Sequence, residues 1–138
     1  MEKTVEKILE VSPCTVGEVL GFLAALTRPK TDTSAGLCTV QDLCGSSQAF
    51  KLTEHGHTVA AYTVDPQEFD RGVCLMVTSL AGHLDGVDLA LTMDRIITAQ
   101  AQQIGAKQIA MLTRRRGLIR KLAAQGWTVA AIKMVKKI

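Results

Sequence analysis

A nearly unbroken apolar segment, followed by a long amphipathic pattern, most constrains how this chain can fold. Residues 72–79 are almost entirely apolar, which is typical of a strand covered on both faces and therefore central in its sheet. Apolar residues spaced about 3.6 positions apart then predict a helix over residues 89–104, which Gly105 ends. Residues 109–112 form a second buried strand. This order predicts parallel neighbouring strands joined by a right-handed helical crossover.

The preceding part of the chain predicts antiparallel strands. Residues 49–53 and 58–64 are strand-like, and the polar, glycine-containing turn at residues 54–57 closes them into a hairpin. Asp65-Pro66 is expected to end the second strand. Residues 5–11 predict a weaker first strand. The sequence therefore predicts a meander that leads into the crossover.

The remaining segments predict shorter helices and a last strand. Ser12 is expected to cap a helix that has Pro13 in its first position and ends at Arg28-Pro29. Residues 30–47 are expected to be mostly loop, with a short helix near residues 40–43. Finally, a basic helix over about 115–125 and a closing strand over 127–135 are predicted. Their boundary is Gly126.

These elements predict one α/β (α+β) domain spanning residues 1–138. The mixed sheet combines an antiparallel meander with a parallel strand pair and carries helices on both faces. No apolar segment is long enough for a membrane span, and the N-terminal residues lack the pattern of a secretory signal, so we expect a cytoplasmic protein. Four dispersed cysteines without a C-x-x-C pair predict reduced thiols and no metal site.

Charge is divided unevenly along the chain. Residues 1–94 hold 6 Lys and Arg against 13 Asp and Glu, a balance of −7, whereas residues 95–138 hold 10 Lys and Arg and no acid, a balance of +10. A basic end of this kind favours an anionic partner, such as a phosphorylated cofactor, nucleic acid or an acidic protein surface. The alternative is a solvated basic face offset by the acidic part of the same domain.

Over residues 48–135 the sequence resembles the GNAT superfamily of acyl-CoA N-acyltransferases. The matching segments are AFKLTEHGHTVAAYTV, GVCLMVTS, LALTMDRIITAQAQQIGAKQIAML and GLIRKLAAQGWTV, in which Gly126 and Trp127 match the family's glycine-aromatic start of the final strand. The resemblance implies a GNAT-like fold and transfer of an acyl group from acetyl-CoA or another acyl-CoA to an amine.

The resemblance also implies where an acyl-CoA would bind. Its pantetheine arm would lie between the splayed parallel strands like an added strand, and its pyrophosphate at the N-terminus of the next helix. Arginines after the second parallel strand would reach a phosphate. The residues implied are Met76, Val77, Thr78, Gly86, Asp88, Leu89, Ala90, Arg115 and Arg116.

The chain departs from the family at its signature positions. The family's Gln/Arg-x-x-Gly-x-Gly/Ala loop aligns with residues 85–90, where only Ala90 fits and where Asp85 or Asp88 serves better as an ordinary helix N-cap. The position of the family's catalytic tyrosine is Leu122. No carboxylate base is found in residues 72–79, which leaves His83 as the one histidine to test as a base.

The three other side chains with acid, base or ligand chemistry lie elsewhere. Tyr62, the single tyrosine, is on an earlier strand. His55 and His57 form a His-x-His pair that could bind a metal or act as a base, but their hairpin position favours an exposed polar turn.

Three classes of function follow from these residues. The first is an acyl-CoA-dependent N-acyltransferase that holds its substrate through backbone groups. The second is a catalytically lapsed GNAT-fold structural or interaction protein with protein partners or a homo-oligomeric state, such as a phage virion-associated (internal or tail) protein. The third is nucleic-acid binding through the basic end, which the five aromatic residues and the lack of a base-reading motif disfavour.

Overall fold

Five strands form one mixed sheet in the computed structural model, which describes residues 9–45, 47–83 and 88–138. Their order in space is their order in the sequence. Each of the first four strands is antiparallel to the next one among those four, and the fourth and fifth strands are parallel. The strands are β1 (Glu10–Cys14), β2 (Gln48–Glu54), β3 (His57–Phe69), β4 (Gly72–Gly82) and β5 (Gln108–Met111).

The helices occupy three places along the chain. A short segment near the N-terminus consists of a 3₁₀ turn (Gly17–Val19), α1 (Leu20–Leu23) and a second 3₁₀ turn (Ala24–Thr27). It is followed by α2 (Val40–Cys44). The long helix α3 (Leu89–Gln103) connects the parallel strands β4 and β5, and α4 (Arg116–Ala123) follows β5. No helix within the described ranges combines the length and apolar character needed to cross a membrane.

Buried apolar clusters cover both faces of the sheet. On one face, Met93 and Ile97 of α3 pack with Tyr62 and Leu75. On the other face, Leu23 of α1 packs in a second cluster with Ala61 of β3. Tyr62 and Ala61 are neighbours on one strand, so their side chains point to opposite faces. The predicted mixed sheet with helices on both faces is therefore confirmed.

The prediction that Asp65-Pro66 ends the second hairpin strand is wrong. β3 continues to Phe69 and pairs with β4 throughout, with Pro66 opposite Leu75. Pairing with β2 stops at Gln48 and Val64. Beyond Val64, one side of β3 is a sheet edge, where a residue without a backbone N–H removes no ladder bond.

The predicted helix start at Ser12-Pro13 is also wrong. Residues 12–14 belong to β1, an edge strand that pairs with Phe50 and its neighbours in β2. Pro13 is tolerated there because an edge strand has one unpaired side. Gly17 and Gly21 weaken the helix that remains, since glycine has low helix propensity, and the segment breaks into short turns. Of the predicted first strand, residues 5–8 lie outside the described part of the chain.

The predicted closing strand over residues 127–135 does not form. Trp127 is fixed to α3 because its indole Nε1 donates a hydrogen bond of 2.7 Å to Asp94. The residues after it have no regular structure and are exposed. Lys133 Nζ donates to the carbonyl of Thr33 at 2.9 Å, which holds this segment beside the loop before α2.

Candidate active site

The two parallel strands separate where β5 ends. Their backbone pairing begins at Cys74 opposite Gln108 and ends at Val77 opposite Met111. β4 continues to Gly82 and remains paired with β3 on its other side. Within the described residues no strand continues the pairing on the β5 side. An open edge presents backbone N–H and C=O groups to which an extended ligand can add as a strand.

A β-bulge in β4 lies at this point of separation. Thr63 of β3 is opposite Ser79, but the next residue, Val64, is opposite Val77, so Thr78 is the extra residue of the bulge. A bulge directs two consecutive side chains to one neighbour across the ladder. Thr63 Oγ1 accordingly lies 2.6 Å from Thr78 Oγ1 and 2.5 Å from Ser79 Oγ.

These contacts extend into a chain of four hydroxyl groups. Ser47, which precedes β2, places its Oγ 2.8 Å from Thr78 Oγ1. The order of contacts is therefore Ser79, Thr63, Thr78 and Ser47, which we call the hydroxyl chain. Thr63 is completely buried and Ser79 is 4% exposed, so these polar groups depend on one another for hydrogen bonds. Thr63 and Ser47 carry no predicted role, since a bulge leaves no mark in the hydrophobic pattern.

A small cavity of about 50 Å³, the cleft cavity, lies between the separated strands. Residues from β4, the end of β5, the start of α4 and the loop before α2 surround it. They are Leu26, Thr31, Thr33, Leu43, Val77, Thr78, Ser79, Leu80, Met111, Leu112, Thr113, Arg115 and Leu118. Val77 and Thr78, both predicted to contact a ligand, are among these residues, whereas Met76 is half-buried and outside this lining.

The loop before α2 is fixed over the cleft cavity from two directions. Arg114 Nη1 donates hydrogen bonds to the carbonyl oxygens of Pro29 at 2.9 Å and Asp32 at 3.1 Å. The Asp32 carboxylate accepts bonds from Ser34 Oγ at 2.6 Å, Ser34 N at 2.8 Å and Gly36 N at 2.9 Å. Those bonds, first the one from the Ser34 hydroxyl, lower the pKa of Asp32, and the Arg114 charge adds to the effect.

The N-terminus of α3 is capped by its own chain. Asp88 Oδ1 accepts a hydrogen bond from Leu91 N at 3.3 Å, which confirms the predicted N-capping role of Asp88. The same carboxylate forms an ion pair with Lys121 of α4 at 3.6 Å. A carboxylate in this position competes with an anionic ligand for the helix N–H groups. Leu89 and Ala90 lie half-buried in the first turn. The predicted contact at Gly86 and the predicted capping role of Asp85 fall outside the described residues.

The arginines after β5 divide between two environments. Arg115 occupies the N-cap position of α4 and lines the cleft cavity. Arg116 is the first residue of α4 and is exposed. Arg115 is therefore at the cleft, whereas Arg116 is outside the lining of the cleft cavity. Arg114, by contrast, is engaged with the loop carbonyls.

The single tyrosine is a core residue of the α3 face. Tyr62 is fully buried, stacks on Phe50 with ring centroids 5.3 Å apart, and donates a hydrogen bond of 2.8 Å to Gln100 Oε1. Burial raises the pKa of its phenol to about 12. The Leu122 position, where the family has a tyrosine acid, is also buried.

The histidines lie at the ends of strands. His83 follows β4, is exposed, and donates its backbone N–H to Val59 O at 3.1 Å. His55 lies in the exposed turn between β2 and β3, as predicted, and His57, also exposed, is the first residue of β3. Among the residues that the structure describes, no group of three or more Cys, His, Asp or Glu is arranged to hold a metal ion.

Comparison with known proteins identifies the fold. No family model and no curated protein sequence matches the chain. Solved structures do match, among them a glucosamine-6-phosphate N-acetyltransferase from Arabidopsis thaliana, with a TM-score of 0.67 and 13% identity over 95% of this chain and 99% of that one. A ribosomal-protein-alanine N-acetyltransferase from Brucella melitensis matches with a TM-score of 0.66 and 17% identity over 95% and 99%.

A third structure contains a bound ligand. It is an aminoglycoside N-acetyltransferase in complex with CoA, and it matches with a TM-score of 0.61 and 10% identity over 99% of both chains. At these identities the matches show that this chain has the GNAT-like fold that its sequence predicted. They give no support to the virion-protein alternative.

Proposed function

We propose that this chain, which has the fold of GNAT N-acetyltransferases, transfers a small acyl group from an acyl-CoA to an amine. The observation that carries the proposal is the open β4 edge beyond Val77, which lies directly beside the cleft cavity and the bulge at Thr78. An extended pantetheine arm contains two amides, and these can pair with a strand edge as a further strand would.

The cleft cavity is small, with a volume of about 50 Å³, and the apolar side chains of Leu26, Leu43 and Leu118 contribute to its lining. We infer that it receives a short acyl group. The remainder of both substrates then lies outside the cleft cavity. The acceptor lies near the loop that contains Thr31 and Thr33. Acetyl-CoA is accordingly the first donor to test.

The residues near the cleft cavity fit direct attack on a thioester. The amine nitrogen forms a bond to the carbonyl carbon, the carbon–sulfur bond breaks, and the thiolate receives a proton. Holding the two reactants in line supplies much of the rate enhancement. A bulge also leaves its extra residue outside the regular ladder, so backbone N–H groups near Thr78 are available to stabilise the developing oxyanion.

The nucleotide end of acyl-CoA has a less favourable site. Arg115 supplies positive charge at the cleft cavity, Arg116 follows it in the chain, and guanidinium groups bind phosphates well. The Asp88 carboxylate, however, occupies the helix terminus where a pyrophosphate would bind. We therefore infer that the pantetheine arm contributes more to affinity than the phosphates do.

Thermal unfolding in the presence of acetyl-CoA tests binding. A ligand that binds only the folded state stabilises it by about 2.7 kcal/mol at a hundredfold excess over its Kd. We expect such a shift with acetyl-CoA, a comparable one with acetyl-pantetheine, and little with adenosine 3′,5′-bisphosphate. No shift with acetyl-CoA at millimolar concentration would end the proposal.

A matched pair of tryptophan variants places the ligand in the cleft. Leu118→Trp introduces an indole at a residue that lines the cleft cavity, whereas Ala123→Trp introduces it at an exposed position of the same helix. We expect L118W to lose the acetyl-CoA shift and A123W to keep it. Equal shifts in both variants would place the ligand elsewhere.

A further inference from the structure

A second cavity lies at the other end of the hydroxyl chain. It has a volume of about 290 Å³ and lies between the end of β1 and the start of β2, where Ser47, Gln48 and Phe50 contribute to its lining. Ser79 and Thr78 line the cleft cavity. The hydroxyl chain therefore connects two separate cavities.

We infer that the hydroxyl chain carries the proton released by the attacking amine from the cleft cavity to water in the second cavity. This inference rests on the proposed acyl transfer and supplies a step that the family's acid and base residues do not supply here. Tyr62 is bonded to Gln100 on the opposite face of the sheet, and the tyrosine position of α4 holds Leu122.

The geometry of the hydroxyl chain suits proton transfer. Its three oxygen–oxygen distances are 2.5, 2.6 and 2.8 Å, all within the range of O–H···O hydrogen bonds. In each contact either hydroxyl can be the donor, so all the bonds can reverse together when a proton passes along them. A cavity of about 290 Å³ has room for several water molecules, which accept the proton at the far end.

The transfer balances at every oxygen. The nitrogen of the attacking amine bears an extra proton once its bond to the carbonyl carbon has formed. It donates that proton to the Ser79 hydroxyl, the end of the hydroxyl chain in the cleft, and each hydroxyl passes its own proton to the next oxygen until Ser47 protonates a water molecule. Every hydroxyl ends neutral, and one proton has moved from the amine to water. The thiolate is protonated separately from solvent at the open side of the cleft.

Hydroxyl groups can also be buried merely to satisfy one another, and kinetic variants separate the two roles. Thr63→Val removes the middle oxygen and keeps the side-chain shape, while Thr63→Ser keeps the oxygen. Ser79→Ala removes the hydroxyl group at the cleft end of the hydroxyl chain. Thr58→Val removes a β3 hydroxyl outside the hydroxyl chain and serves as the matched control.

The assay follows release of the CoA thiol from acetyl-CoA in the presence of a panel of primary amines. We expect T63V and S79A to lower kcat by about a hundredfold, at the lower end of general acid–base contributions, with KM for acetyl-CoA unchanged. T63S and T58V should retain kcat near that of the wild type. If T63V does not fold, S79A gives the same test.

The solvent isotope effect provides a readout that a structural role does not change. In mixtures of H₂O and D₂O, wild-type kcat should curve with deuterium content because several protons move together. In S79A the dependence should become linear and smaller. Wild-type activity with unchanged kcat in T63V and S79A, or a linear wild-type dependence, would overturn the relay alone. A wild type that releases no CoA with any amine would overturn both proposals, and the acetyl-CoA thermal shift then tells whether binding survives.

Discussion

At the scale of single residues, Tyr62 shows how a candidate acid becomes a core side chain. Its ring stacks on Phe50 and its hydroxyl bonds to Gln100, so the group that could donate a proton is turned toward α3 and away from the cleft cavity. The raised pKa follows from the loss of hydration on burial, which disfavours the charged phenolate.

The stability of the protein should reflect this tyrosine at alkaline pH. The phenol has a pKa of about 12 in the folded state against 10.0 when unperturbed, so the unfolded chain loses the proton first. The contribution of Tyr62 is complete below about pH 10 and falls as the pH rises toward about 12. We expect urea unfolding of wild type and Tyr62→Phe to give free energies that converge over this interval. A constant difference between the two would contradict the assigned pKa.

The sequence identified only part of the candidate site, and the reason is local geometry. Val77 and Thr78 were predicted because the resemblance to the GNAT superfamily implies that an acyl-CoA binds along residues 75–79. Thr63 and Ser47 were not predicted, because a bulge and a turn bring them to Thr78 and Ser79 from distant positions. A Thr-Ser pair in an otherwise apolar strand was the one available signal.

At the scale of elements, β4, α3 and β5 agreed best with their predicted ranges. Each has a long apolar pattern with a single period, and no other element competes for its residues. The predicted helix start at Ser12-Pro13 was wrong because these residues suit either a helix start or an edge strand. There the edge of β2 decided the outcome, since pairing with β1 satisfies backbone groups that a broken helix would leave unpaired.

The N-terminus of α3 supports a prediction on capping and ligand binding together. Asp88→Asn keeps a good capping side chain and removes its charge, whereas Asp88→Ala removes the cap. We expect D88A to lower the free energy of unfolding by about 1 kcal/mol and D88N to change it little. If phosphates bind at this helix end, D88N should also tighten acetyl-CoA binding by about two- to fivefold.

Acetyl-pantetheine is the control ligand for this pair, because it has no phosphate at the helix end. Its Kd should be the same for wild type and D88N. An unchanged acetyl-CoA Kd in D88N would indicate that the phosphates bind away from the N-terminus of α3, near Arg115 and Arg116.

At the scale of the whole molecule, the basic part of the chain makes contacts with the acidic part. Lys121 pairs with Asp88, Arg114 holds the carbonyls of Pro29 and Asp32, and Lys133 bonds to the Thr33 carbonyl. Lys121 forms an ion pair with a carboxylate, whereas Arg114 and Lys133 donate to backbone carbonyls. Arg115 is the basic residue in the lining of the cleft cavity, where an anionic ligand would meet it.

Two truncations test whether the C-terminal segment is part of the folded unit. Ending the chain after Thr128 removes exposed residues and the Lys133 bond, and we expect the free energy of unfolding to change by less than about 1 kcal/mol. Ending it after Gly126 also removes the Trp127 bond to Asp94, a further loss of about 1.5–3 kcal/mol. Urea unfolding measures both. A large loss of unfolding free energy in the chain that ends after Thr128 would support the predicted closing strand.

The agreement between strand order in space and in sequence affects how the sheet can assemble. β3 and β4 each add to the strand that left the ribosome just before them, through the short turns at residues 55–56 and 70–71. β2 and β5 join their partners across the longer segments 15–47 and 83–107, and β5 must wait for the whole of α3 to be made. The loop-closure entropy of folding is thus concentrated in two events, and the later one creates the cleft.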